Sequence, residues 1–87
     1  MNKYDKSKII PLLDAETISA LLRIYGIGYK NLAVRFGVTR EAVWYRQKVD
    51  CWKPYEREML LDLFVSYGME LAELILLHQM INKRKVD

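Results

Sequence analysis

Apolar residues recur at helical spacing in this chain, and this pattern restricts its fold more than any other feature. Between Ala15 and Tyr25 they stand at i, i+3, i+4 and i+7, on one face of a helix, at Ile18, Leu21, Leu22 and Tyr25. No segment alternates apolar and polar residues with period two, and no Asn-Gly or Asp-Gly pair signals a hairpin. We therefore expect an all-α fold.

Local signals predict where the helices begin and end. Asp14 and Thr39 are expected N-caps, because their side-chain oxygens can accept from free amides of a first turn. Gly26 and Gly37 are expected at helix ends, where glycine adopts a left-handed conformation at little cost. Because a single glycine inside a helix costs little, Gly68 is compatible both with one long bent helix after Pro54 and with two shorter ones. The predicted helices cover Ala15–Tyr25, Tyr29–Phe36, Arg40–Val49, 55–67 and 69–83.

The length of 87 residues predicts one compact domain with three parts. Residues 1–10 are expected to form a flexible basic arm, 11–53 a tri-helical unit, and 54–87 a helical dimerisation segment. Cys51 is the only cysteine and His78 the only histidine, so neither a disulfide within the chain nor a structural zinc site is expected. No cofactor is predicted, and oligomerisation remains as a source of added stability.

Charge is spread unevenly along the chain. Residues 1–54 carry ten Lys and Arg against five Asp and Glu, whereas residues 55–87 carry four against six. A basic half indicates a part that faces a polyanion, although clustered charge also occurs on simple solvated surfaces. Met1–Lys8 does not resemble a secretory signal, and the apolar stretch 59–81 is interrupted by Asp62, Glu70, Glu73 and His78. A cytoplasmic protein without a membrane partner is expected.

The segment Tyr29–Lys48 reads YKNLAVRFGVTREAVWYRQK. Its small, glycine and aliphatic positions are Ala33, Gly37, Val38 and Val43. In this spacing it resembles the helix-turn-helix of bacterial and phage regulators, in which a small residue lets two helices approach closely and a glycine turns the corner. One position departs from the family pattern: Arg46 stands where an apolar residue is usual.

The resemblance implies that Arg40–Lys48 enters the major groove of double-stranded DNA. Arg40 would bond guanine, Glu41 would accept from cytosine, and Trp44 would lie against thymine methyl groups. The residues implied to contact bases or phosphates are Tyr29, Lys30, Asn31, Thr39, Arg40, Glu41, Trp44, Tyr45 and Lys48.

Four of these side chains have a structural alternative to a role in DNA contact. Arg40 and Glu41 fit a solvated first turn, and Trp44 fits a core or an interface. Tyr45 is expected to pack inward or against the C-terminal helix rather than to read DNA. Trp52, just before Pro54, is expected to wedge between the tri-helical unit and the next helix.

The segment Met59–Ile81 is apolar around nearly its whole circumference, which predicts burial on more than one side. A second copy of the chain is the expected cover, so a homodimer is predicted. The alternative is a monomer in which a C-terminal hairpin folds back over the motif. In the last helix one face carries Leu71, Leu74, Ile75 and His78, and another carries Ala72, Leu76 and Met80. The predicted interface residues are Leu63, Phe64, Tyr67, Leu71, Leu74, Ile75 and His78.

The leading functional hypothesis is a sequence-specific DNA-binding transcriptional regulator, a dimeric repressor of phage or mobile-element type. One alternative is a protein-interaction module with the same fold, such as a phage-encoded inhibitor or a sigma-like adaptor. Another is a DNA-architectural or packaging-initiation protein. An enzyme is not expected, because the sequence offers no nucleophile–base set or glycine-rich phosphate loop, and its carboxylates fall on helix positions predicted to be exposed.

Overall fold

The computed structural model describes the backbone of residues 5–85 and the side chains of residues 5–83. Within that range all regular structure is helical, which confirms the all-α prediction. In chain order the elements are α1 (Lys6–Ile9), a 3-10 turn (Ile10–Leu12), α2 (Ala15–Tyr25), α3 (Tyr29–Phe36), α4 (Arg40–Val49), α5 (Pro54–Ser66) and α6 (Leu71–Lys85).

Helices α2, α3 and α4 begin and end at the predicted residues because short-range bonds fix their ends. An Asp14 carboxylate oxygen accepts from the Thr17 amide at 2.9 Å, and the Thr39 hydroxyl accepts from the Ala42 amide at 3.1 Å. Gly26 and Gly37 close α2 and α3 with φ of 67° and 66°, in the left-handed region that favours glycine.

The three helices share one core. Helix α4 packs against both α2 and α3. Ala33 and Val43 are buried as the motif predicts, and Val38 is half-buried. Trp52 is buried beside Phe36, with ring centroids 5.3 Å apart, so it packs against the tri-helical unit, which is one side of the predicted wedge.

The C-terminal half is two helices rather than one. Gly68 adopts a φ of 106°, and the Met69 amide donates to the Phe64 carbonyl at 3.0 Å instead of continuing the helix. Met69 is buried after the turn, so its side chain anchors the corner between α5 and α6.

Helices α5 and α6 fold back over the rest of the chain. Helix α6 packs on α2, where the Tyr25 hydroxyl donates to a Glu73 carboxylate oxygen at 2.6 Å. His78 Nδ1 lies 3.6 Å from an Asp14 carboxylate oxygen at the start of α2. The C-terminal hairpin therefore folds back within the chain, as in the alternative to a dimerisation segment, with its main contacts on α2 and the 3-10 turn.

This packing corrects the predicted interface. Leu63, Phe64 and Leu74 lie in the chain's own core, where a partner cannot reach them. Leu71, Ile75 and His78 are half-buried, and Tyr67 is exposed. The prediction was wrong for the buried residues because it expected a second copy to cover apolar faces that α2 and the 3-10 turn cover within the chain.

The expectation of a loose N-terminal arm is also wrong for residues 5–10. Lys6–Ile9 is helical, Ile9 is buried in the core, and Lys6 Nζ lies 3.0 Å from a Glu58 carboxylate oxygen on α5. Residues 1–4 of the predicted arm, with Lys3, lie outside the described residues. Among the described helices, none has the length and apolar character needed to cross a membrane.

Candidate nucleic-acid interface

The inner face of α4 is fixed by buried contacts on several sides. Val43 is fully buried, and Gln47 lies beside it in the core. The Gln47 amide nitrogen donates to the Ala15 carbonyl at 3.1 Å, which ties α4 to the first residue of α2. Its amide oxygen accepts from the Trp52 indole N–H at 2.8 Å. Gln47 therefore sets the orientation of α4, a role that no sequence signal predicted.

Arg46 connects the C-terminal part of α4 to α5 and to Trp52. Its Nε lies 3.1 Å from a Glu56 carboxylate oxygen on α5, and its guanidinium carbon lies 5.9 Å from the centre of the Trp52 ring. The other Glu56 oxygen accepts from the Lys53 amide at 2.9 Å, which closes the first turn of α5.

This ion pair explains why a charged residue stands where the motif usually has an apolar one. Glu56 is only 2% exposed, and its buried carboxylate needs a cationic partner. The expectation that the carboxylates occupy exposed positions was therefore wrong for Glu56. Because Arg46 is committed to Glu56, it is not among the cations offered to a ligand.

The outer face of α4 is open to solvent. Arg40, Trp44 and Lys48 stand four residues apart and form one stripe, with Glu41 and Tyr45 beside it. Trp44 is 51% exposed and Tyr45 57% exposed, so the expectation that Tyr45 packs inward is wrong. Lys48 Nζ lies 4.6 Å from the centre of the Trp44 ring, which covers part of the indole with a cation.

A shallow groove of about 210 Å³ joins this stripe to the start of α3, lined by Tyr29, Arg40, Glu41 and Trp44. A second depression of about 320 Å³ continues past Trp44 toward α2. It is lined by Ala15, Glu16, Ser19, Tyr29, Trp44, Gln47 and Lys48. Tyr29 is half-buried against the core, so it is a wall of both grooves and not a freely projecting side chain.

Two of the predicted residues lie apart from this groove. Lys30 and Asn31 line a separate open surface on the outside of α3, together with Val34 and Arg35. Arg35 Nε donates to the Asn31 side-chain oxygen at 3.3 Å. Arg35 was missed as a candidate, although its spacing of four residues from Asn31 places both on one helical face.

This region contains exposed cationic side chains and the N-termini of α3 and α4. Gly28 caps α3 without a side chain, so no side-chain oxygen of the cap competes for the first amides of the helix. The Thr39 hydroxyl oxygen caps α4, while the residue itself is exposed. Lys30, Arg35, Arg40 and Lys48 are all exposed, as are the acidic Glu16 and Glu41.

The nine predicted residues thus divide by position. Arg40, Glu41 and Trp44 meet Tyr29 in one groove, Lys48 adjoins it, and Lys30 and Asn31 lie on another face of α3. Thr39 and Tyr45 are exposed but line neither groove beside Trp44. Within residues 5–83 no group of three or more His, Cys, Asp or Glu side chains is placed to hold a metal ion.

Comparison with known proteins found no matching family model, no matching curated protein and no matching solved structure. Helices α3 and α4 therefore provide the observations from which a function can be proposed.

Proposed function

We propose that this chain is a sequence-specific double-stranded DNA-binding transcriptional regulator that acts as a dimeric repressor of phage or mobile-element type. Helix α4 lies in the major groove, which is wide enough to admit one α-helix. The N-terminal part of α3 and its exposed cations lie toward the phosphate backbone.

The observation that carries this proposal is the contrast between the two faces of α4. Its inner face is bonded to three other parts of the chain through Gln47 and Arg46. Its outer face presents Arg40, Trp44 and Lys48 to solvent. A rigid helix with a free cationic and aromatic face is what direct readout of base edges requires.

The side chains on that face can contact different parts of the DNA. Arg40, at the first turn of α4, can donate two bonds to the O6 and N7 atoms of one guanine. Trp44 offers apolar surface to a thymine methyl group, and Lys48 lies at the far end of the stripe, where it can pair with a phosphate. Glu41 accepts from the amino group of cytosine or disfavours bases that cannot donate.

A specific observation supports a second candidate, a protein-interaction module. Tyr45 and Val49 are both exposed and stand four residues apart on α4, next to Trp44. This aromatic and apolar surface is typical of the centre of a protein interface, where aromatic residues are enriched. In that case α4 would bind in a groove of another protein instead of the major groove of DNA.

The test is selection of a DNA sequence from a randomised duplex library, followed by fluorescence anisotropy with the selected duplex in the presence of nonspecific competitor. We expect tight binding that weakens steeply with salt, because phosphate contacts release counterions. Arg40→Ala should weaken binding by roughly tenfold or more and relax the preference at one base pair. Lys48→Ala should weaken binding to all sequences alike and flatten the salt dependence.

Arg23→Ala is the matched control, because Arg23 is exposed in the last turn of α2 and lines neither groove beside Trp44. It should bind like the parent protein. Failure to enrich any sequence, with weak binding that competitor abolishes, would refute the proposal and favour the protein-interaction module.

A further inference from the structure

The corner between α4 and α5 contains a residue with a strained backbone. Asp50, directly after α4, has a φ of 53°, and among the described residues the other positive φ angles belong to glycines. A side chain in this left-handed region crowds the backbone, so the conformation persists only where the surrounding structure maintains it. The amides of Asp50 and Cys51 both donate to the Arg46 carbonyl, so this conformation closes the last turn of α4.

Arg57, near the start of α5, maintains this corner. One of its terminal nitrogens lies 3.0 Å from an Asp50 carboxylate oxygen, and its Nε donates to the Trp52 carbonyl at 3.2 Å. Its other terminal nitrogen donates to the carbonyl of Leu13, a fully buried residue just before the N-cap of α2. One guanidinium thus joins α5, the turn after α4 and the segment before α2. Its planar fork of donors makes this set of bonds possible, and a lysine cannot reproduce it.

Two ion pairs of opposite direction connect the two sides of the corner. Arg46 of α4 pairs with Glu56 of α5, and Asp50 after α4 pairs with Arg57 of α5. Glu56 and Arg57 are neighbours in the sequence, so two consecutive positions of α5 hold the end of α4. The crossed pairs restrict both the rotation of α4 about its axis and its sliding along α5, because either motion lengthens at least one of them.

The start of α2 is an anchor for both helices of the corner. Arg57 donates to the Leu13 carbonyl, and Gln47 of α4 donates to the Ala15 carbonyl two residues later. Arg40 lies about 15 Å from Asp50 along α4, since each helical residue adds about 1.5 Å. A tilt of about 10° at Asp50 would therefore move Arg40 by about 2–3 Å. The contacts of the corner thus control the placement of the opposite end of α4.

We propose that Asp50 and Arg57 are positioning residues for DNA recognition, which fix the tilt of α4 and so set its sequence specificity. This role rests on the proposed function, because it concerns how α4 is presented to the major groove. Bonds to base edges require placement within about 0.5 Å, whereas long cationic side chains reach phosphates from a wider range of helix positions. Loosening the corner should therefore lower affinity for the selected sequence more than affinity for nonspecific DNA.

The test is a pair of substitutions at Asp50 that differ in the acceptor they leave for Arg57. Asparagine and glycine both tolerate a left-handed φ, but only asparagine keeps a side-chain oxygen for the guanidinium. Asp50→Gly should lower affinity for the selected duplex roughly fivefold, with affinity for a nonspecific duplex and the salt dependence within about twofold of the parent. Asp50→Asn should stay within about twofold of the parent on both duplexes. Arg57→Lys should reproduce the loss seen with Asp50→Gly, because lysine lacks the fork.

Glu58→Gln is the matched control. It changes the net charge by the same amount as either Asp50 variant, but Glu58 pairs with Lys6 of α1. It should keep the specificity of the parent. Urea unfolding checks that every variant is folded under the conditions of the binding assay. An Asp50→Gly variant as specific as the parent, or an equal loss of specificity in Asp50→Asn, would overturn the positioning role.

Amide hydrogen exchange of the free protein separates this role from DNA binding. Asp50→Gly should speed exchange in the last turn of α4 by roughly threefold or more, and Asp50→Asn should not. A parent that selects no DNA sequence, together with this faster exchange, refutes the regulator but supports the corner as the holder of α4. Unchanged exchange in Asp50→Gly overturns the positioning role, whether or not the parent selects DNA.

Discussion

Arg46 of α4 and Glu56 of α5 form an ion pair with an N–O distance of 3.1 Å, and the Glu56 carboxylate is almost completely enclosed. The pair connects the proposed recognition helix to the C-terminal hairpin across the irregular linker that contains Trp52. Together with the Gln47 bonds, it makes the position of α4 depend on a residue that lies outside the motif. The outward face of α4 is thus set partly by the second half of the chain.

Glu56→Gln should lower the free energy of unfolding by about 1–2 kcal/mol. The amide keeps an acceptor for the Lys53 amide but leaves the half-buried Arg46 guanidinium without its carboxylate, and partial exposure of Arg46 limits the loss. Urea unfolding followed by circular dichroism measures the change.

Glu58→Gln is the control, since Glu58 pairs with Lys6 in a more exposed setting and should cost about 0–1 kcal/mol. Equal losses for the two variants would contradict the structural importance of the Arg46–Glu56 pair.

Gly37→Ala should destabilise the chain by about 1 kcal/mol through backbone strain alone. A Cβ at this position meets nothing within 4 Å, so no clash adds to the cost of a left-handed φ of 66°. Gly37→Asn should lose less, because asparagine tolerates that conformation. Gly28→Ala is the comparison, because the space is equal and φ is −91°, so it carries no left-handed strain and should cost less than Gly37→Ala, the remaining loss being that of a glycine N-cap. Thermal or urea unfolding compares the three, and a similar loss at both glycines would contradict this explanation.

Trp52→Phe should cost about 2 kcal/mol, whereas Trp44→Phe should change the free energy of unfolding by less than about 0.5 kcal/mol. The first variant removes the indole N–H that satisfies Gln47 and leaves space in the core, while Trp44 is half in solvent. Acrylamide quenching provides a second measurement, since each variant retains one tryptophan. Trp44 emission should be quenched readily and Trp52 emission weakly, and the reverse order would contradict the structure.

Alkaline pH should weaken the contact between α2 and α6 through Tyr25. The hydrogen bond that its hydroxyl donates to Glu73, together with burial, raises the pKa of Tyr25 from 10.0 to about 12. A group whose pKa is raised on folding favours the folded state below pH 10 and loses that contribution as pH rises from 10 to 12.

Tyr25→Phe should remove this part of the pH dependence. Urea unfolding of parent and variant between pH 8 and 12 measures it, and the stability difference between them should shrink across the upper part of that range. A difference that stays constant would show that the Tyr25–Glu73 bond does not govern the titration.

Much of the tri-helical unit was predictable because its signals are local. Asp14 and Thr39 each bond an amide three residues away, and Gly26 and Gly37 adopt the conformation that only glycine takes readily. The DNA-contact candidates were found as a sequence pattern, but the pattern did not separate Lys30 and Asn31 from the groove that holds Arg40 and Trp44. That separation depends on how α3 is rotated against α4.

The sequence by itself determined the helical class, the bounds of α2 to α4 and the residues at their caps, because these depend on contacts within a few positions of the chain. It also identified two apolar faces on α6. Only the tertiary structure decided which face lies inside: Leu74 packs on α2, and Leu76 and Met80 remain outside. It likewise paired Arg46 with Glu56, a partner in another helix that no local pattern specifies. Helical periodicity shows which side chains share a face, but the burial of that face depends on packing with distant parts of the chain.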